Sequence, residues 1–241
     1  MDNVASKLKE AIGGLTEILI GAIGLLVVVQ VVFGTGGGGI DIISKSSKIK
    51  NVTMKSGHLP DDKIYHIVES LDHKIWVGTR HGIVSFNENL SLANTQMVKK
   101  LPQSKYRFLL QESELNWWFA TEDEGVYHLE NNQLKQFTIE NGLVSNSTRV
   151  LLKHTSGDLY IGTTNGISIL RNGKFINYTL QNGLLNQVVL DMIETEDGSV
   201  WFTHYQGVSK ISLDGNIEHI EYDSISNSSA LDAFENIYGI R

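Results

Sequence analysis

The chain has 241 residues, 41% of them hydrophobic, enough to bury a sizeable core. The absence of cysteine excludes disulfides, thiolate metal sites and cysteine nucleophiles. The net charge of −7 is uneven: residues 1–50 carry 5 Lys and 4 acidic residues, and the remainder 15 basic and 23 acidic. That balance argues against a nucleic-acid surface, since affinity for a phosphate backbone comes from clustered cations.

In chain order, the first segment is "ILIGAIGLLVVVQVVF", Ile18 to Phe33, apolar apart from Gln30. As a helix its 16 residues reach about 24 Å, short of the roughly 30 Å hydrocarbon core, and extension back to Ala11 supplies the missing length. The expectation is an N-terminal membrane helix within residues 1–33, which makes the protein single-pass. A cleaved signal peptide or a buried soluble helix are the alternatives. "GTGGGG", Gly34 to Gly39, then predicts the end of the helix and a Gly-rich linker over 34–50.

A repeat follows. Trp76, Trp118, Tyr160 and Trp201 stand at steps of 42, 42 and 41 residues, and Gly82, Gly125, Gly166 and Gly207 at 43, 41 and 41. A period near 40 with four strands per unit predicts blades of a β-propeller. The third repeat spells out its strands. They run over Thr148 to Lys153, Leu159 to Ile161, Ile167 to Leu170 and Lys174 to Tyr178, with turns at Ser156-Gly157-Asp158, Asn165-Gly166 and Asn172-Gly173. The predicted class is therefore all-β. Four blades span 51–227, and "SSALDAFENIYGIR" (228–241) reads as the opening of a partial fifth. Open blade edges predict pairing with another chain or a second copy that completes the propeller.

"NGLVSNSTRVLLKHTSGDLYIGTTNGISIL" (141–170) resembles the two-component regulator propeller repeat: Gly-Leu, a polar turn, an apolar strand, Asp-Gly, aromatic-x-Gly-Thr, then Gly-Ile. "SGHLPDDKIYHIVESLDHKIWVGTRHGIVSFN" (56–87) is similar to the same repeat. The pattern departs at Ala120, at the extra Glu124 and at Thr203-His204. The resemblance implies a sensor domain that recognises a small molecule or glycan and passes on a signal, with the propeller periplasmic or extracellular. The lysines after the apolar run (Lys45, Lys48, Lys50) point instead toward the cytoplasm by the positive-inside rule. The rival class is a structural protein that assembles through its N-terminal helix and displays the propeller to protein partners.

Neither a phosphate loop, nor a Rossmann glycine pattern, nor His-Glu-x-x-His, nor a nucleophile elbow is present in the sequence, so the expectation is a binding protein without cofactor or metal. Loops on one end of a rigid scaffold are where binding residues gather. The turns between second and third strands supply Arg80 and His81, Glu122 and Asp123, Thr164 and Asn165, and His204, Tyr205 and Gln206. The loops before first strands supply Tyr106 and Asn146, with Asp61, Asp62, Lys105 and Asn186 beside them. Trp117 is a candidate stacking platform for a sugar.

Overall fold

The computed structural model describes residues 23–27, 30–44, 49–87, 89, 91–93 and 96–221. They belong to two compact units, Met1–Gln103 and Ser104–Arg241. In the first unit, β1 (Ile23–Val27), β2 (Gln30–Gly34), β3 (Ile40–Ser44) and β4 (Ile49–Val52) form one four-stranded sheet. Next to it in sequence, β5 (Ile64–Glu69), β6 (Ile75–Thr79) and β7 (Gly82–Phe86) form a three-stranded sheet. Residues 91–93 extend its outer edge through the Phe86–Leu92 bridge and the Ala93 amide, which donates to the Ser85 carbonyl.

The second unit holds three four-stranded sheets. They are β8 (Tyr106–Ser113) to β11 (Gln133–Phe137), β12 (Thr148–Lys153) to β15 (Lys174–Tyr178), and β16 (Asp191–Glu194) to β19 (Ile217–Glu221). Their middle strands are β9 (Asn116–Thr121) and β10 (Val126–Glu130), β13 (Leu159–Thr163) and β14 (Gly166–Arg171), and β17 (Val200–Thr203) and β18 (Gly207–Ile211). Every sheet is an antiparallel meander in chain order, the layout of a propeller blade.

The strands follow from alternation and turn chemistry. In the third sequence repeat the four predicted strands fall on β12 to β15. Asn172 and Gly173 both have positive φ (49° and 75°), the conformation that a two-residue hairpin requires of both its central residues. Side chains of β12 alternate between neighbours: Val150 packs with Val189 and Phe202, and Leu151 with Trp118 and Ala120. The β12–β15 blade is thereby held on both faces. In the first unit Val32, Ile40, Ile42, Ile64, Ile67, Val77 and Phe86 share one core.

The membrane helix expected within residues 1–33 is corrected over its described part, because β1 and β2 occupy Ile23–Val27 and Gln30–Gly34. Residues 1–22 lie outside the described residues. Among the described residues no helix is long and apolar enough to cross a membrane. The physical reason is that a continuous apolar run rich in Val and Ile has no period to separate buried strand from helix, while β-branched side chains favour the strand. The linker expected over 34–50 is corrected too, since it contains β3 and the first two residues of β4. "GTGGGG" is the turn between second and third strands: the Thr35 hydroxyl donates to the Gly39 carbonyl at 3.0 Å, and the Gly38 amide donates to the Thr35 hydroxyl at 2.8 Å. The signal was in the sequence. Phe33-Gly34-Thr35 followed by Gly39-Ile40 has the order of Val77-Gly78-Thr79 followed by Gly82-Ile83. The expected partial fifth blade, 228–241, lies outside the described residues.

Two predictions test this architecture. A Cβ on Gly34 would lie 2.4 Å from Ile64 Cγ2, whereas one on Gly36 meets nothing within 4 Å. Gly34→Ala is therefore expected to destabilise the protein by about 1–3 kcal/mol and Gly36→Ala by less than about 0.5 kcal/mol, read by urea denaturation. A flexible linker would make the two variants alike. His66, on β5, is pulled by burial from 6.5 down to about 4. A folded-state value below the unfolded one gives stability that is complete above pH 6.5 and lost as pH falls toward 4. His66→Gln is expected to flatten that part of the stability profile, by roughly 1–3 kcal/mol across the window.

Candidate functional site

In the second unit, loops at one end of the blades are locked together by backbone hydrogen bonds. The Gly125 amide, at the β9–β10 turn, donates to the Asn146 carbonyl ahead of β12 at 2.8 Å. The Gly166 amide, at the β13–β14 turn, donates to the Gln187 carbonyl ahead of β16 at 2.7 Å. Glu122 and Thr164 amides donate in turn to the carbonyls of Lys105 and Ser147. These contacts gather the predicted turn residues of this unit on one end.

Their side chains divide into two groups. Asn146 is structural: its Oδ1 accepts from the Ile139 amide at 2.9 Å, which holds the short 3-10 turn Ile139–Asn141. His204 is fully buried, with Nδ1 2.9 Å from the Val188 carbonyl and Nε2 3.0 Å from the Ser209 hydroxyl. Burial lowers its pKa, against the Val188 hydrogen bond, so the ring is a neutral link inside the blade. Tyr106 is also fully buried, its ring edge-on to Phe119 at 6.0 Å, and burial raises its phenol pKa. Trp117 is buried against Phe119, which removes it as a sugar platform.

The second group faces solvent. Lys105 reaches Asp123 at 2.8 Å, and Arg107 Nη2 reaches Glu122 at 2.9 Å. Glu124 accepts from the Tyr127 hydroxyl at 2.8 Å, and burial together with that carboxylate pushes the phenol pKa up. Thr164 lies 3.4 Å from the Ser145 hydroxyl, and Asn165 is exposed. Gln206 accepts from the Asn186 amide at 2.8 Å, beside Tyr205, which is 64% exposed.

Arg80 and His81 belong to the first unit, on the β6–β7 turn. The Arg80 amide donates to the Lys63 carbonyl at 3.1 Å, and the His81 imidazole closes on the Asp61 carboxylate. Burial alone would raise the Asp61 carboxyl, but the Lys63 amide and His81 hold it below the usual carboxylate range. Asp62 accepts from the Met54 amide, which fixes the loop ahead of β5. Among the described residues no group of three His, Asp or Glu is placed to hold a metal ion.

The turns were not the whole of the exposed chemistry at this end. Arg107, Arg149 and Asp191 stand at steps of 42 residues on β8, β12 and β16, the first strands of the three blades. None was singled out from the sequence, although the spacing is the repeat period itself.

Neither a family profile nor a curated protein matches the chain. Its fold is similar to the extracellular domain assigned to a hybrid two component system of B. thetaiotaomicron, at 18% identity and TM-score 0.66, over 83% of this chain and 28% of that one. A second extracellular domain of that kind from the same bacterium aligns at 16% identity and TM-score 0.68, over 82% of this chain and 30% of that one. Virginiamycin B lyase from Staphylococcus aureus aligns at 18% identity and TM-score 0.64, over 83% and 68% of the two chains. The chain thus spans under a third of the two component system domains. At such identities the likeness establishes a β-propeller-like fold.

The division into structural and exposed residues is testable in one pair. His204→Ala removes two buried hydrogen bonds and is expected to cost about 2–4 kcal/mol in chemical denaturation. Tyr205→Ala, one residue on, is expected to change stability by less than about 0.5 kcal/mol.

Proposed function

We propose that the chain is a ligand-recognising part of an extracellular or periplasmic sensor of the two-component regulator propeller type, and that its ligand is a glycan fragment. The observation that carries the reading is the exposed polar row at the loop end of the second unit, on a scaffold similar to extracellular domains of two component systems. Tyr205 offers an exposed aromatic face, and Asn165, Asn186 and Gln206 offer amides that both donate and accept, the groups that sugar hydroxyls pair with. Membrane attachment and assembly through the membrane rested on the N-terminal helix. The described part of that segment is strand, so neither enters the proposal. Completion of the propeller by another chain or a second copy rests on open blade edges and stays a proposal.

An enzyme is the second reading, supported by the likeness to virginiamycin B lyase. Fold likeness alone does not carry that chemistry to this chain, because function resides in the site.

The test is a thermal-shift and calorimetric screen of the intact protein against neutral and acidic oligosaccharides. At least one is expected to bind, with Tyr205→Ala weakening it about 5- to 30-fold while leaving the melting temperature in place. Turnover of a bound compound would move the assignment to the enzyme reading. Failure of every glycan to bind the folded protein would remove the sensor reading.

A further inference from the structure

The first strands of the second unit carry a feature the turn residues do not explain. The β8–β9 register shifts between Tyr106 and Phe108, and the β12–β13 register shifts between Thr148 and Val150. Arg107 and Arg149 are the residues at these two irregularities. A bulge takes a residue out of the ladder and re-aims its side chain. Thr148 and Val150, on either side of Arg149, are buried, while Arg149 itself is half-buried and joins neither core cluster.

The two arginines differ in their partners. Arg107 is paired with Glu122. Arg149 has no hydrogen bond or ion pair among the described residues. A guanidinium presents five N–H donors in a planar fork suited to an oxyanion. One blade further on, Asp191 follows Leu190, whose amide donates to the Thr203 carbonyl. Among the described residues the Asp191 carboxylate accepts only from the Met192 amide, at 2.9 Å, and has no cation beside it. It is exposed, yet surrounded by enough protein for burial to raise its pKa, as expected of a recessed surface.

We infer that Arg149 and Asp191, on neighbouring first strands, form a recognition site for a ligand that carries a carboxylate beside hydroxyls: an acidic sugar. Arg149 takes the carboxylate through its fork. Asp191 accepts from a hydroxyl and, as a like charge, disfavours a second anionic group at its own position. The inference rests on the reading of the chain as a glycan-recognising propeller and specifies which glycans.

The experiment is calorimetric titration of the intact protein with galacturonate oligomers, neutral oligosaccharides of equal length and sodium sulfate, repeated on Arg149→Gln, Arg149→Lys and Asp191→Asn. Melting temperatures monitor folding. Galacturonate oligomers are expected to bind more than 10-fold tighter than neutral ones and to weaken with salt. Arg149→Gln is expected to lose at least 10-fold in affinity and Arg149→Lys less, since it keeps the charge without the fork. Asp191→Asn is expected to reduce the preference for galacturonate over sulfate. If neutral oligosaccharides bind and Arg149→Gln leaves that binding unchanged, the sensor reading stands and this site is overturned. Sulfate binding as tightly as galacturonate would overturn the acidic-sugar class. Silence of every glycan on a folded protein would overturn both.

Discussion

The structure depends on a close approach that admits glycine alone. At the start of the third strand in four of the five described sheets, a Cβ would lie 2.1 or 2.2 Å from a carbonyl oxygen of the fourth strand. The pairs are Gly39 with Val52, Gly125 with Phe137, Gly166 with Tyr178 and Gly207 with Ile220. No side chain survives at that distance, and at Gly39, Gly125 and Gly166 the backbone also has positive φ. The same glycines bind the sheet to the next connection, since Gly39, Gly125 and Gly166 amides donate to the carbonyls of Asp62, Asn146 and Gln187. One small residue thus fixes both the outer strand of its own sheet and the loop leading into the following one.

Threonine completes this joint. Thr35, Thr79, Thr121 and Thr163 end the second strands, and each hydroxyl donates to the carbonyl of the glycine across the turn, at 2.8 to 3.0 Å. Three of the connecting loops repeat a second device. The amides of Thr53, Thr138 and Thr179 donate to the side-chain oxygens of Ser56, Asn141 and Asn182, and Gly57, Gly142 and Gly183 close the short turns with positive φ. The loop ends are therefore rigid before any ligand arrives. Rigid loops need little ordering on binding, which leaves more of the contact energy for affinity.

That rigidity also decides which polar residues are available. Asn146 and His204 are polar turn residues in sequence, yet both are committed to holding the scaffold. Thr203-His204 replaces the usual Gly-Thr, and the buried imidazole shows what the replacement does: it joins the Val188 carbonyl to Ser209 across the end of the blade. Arg149 has the opposite history. It sits within a strand where a side chain is expected to be core or plain surface, and the register shift sets it apart.

The sequence alone determined the period, the four-stranded unit and the strands of β12 to β15, because the Asn-Gly turns and strand alternation act over a few residues. It also determined which end of each blade the turn residues share. Only the tertiary structure decided that Ile23–Val27 and Gln30–Gly34 are strands, since a uniform apolar run takes its conformation from what packs on it, here Ile64 against Gly34. Only the tertiary structure separated Asn146, His204 and Tyr106 from Tyr205 and Gln206, because burial and hydrogen-bond partners come from residues far along the chain or across the blade. Arg107, Arg149 and Asp191 lay in plain view at one repeat period. Their significance needed the registers of β8 and β12, which no local pattern encodes.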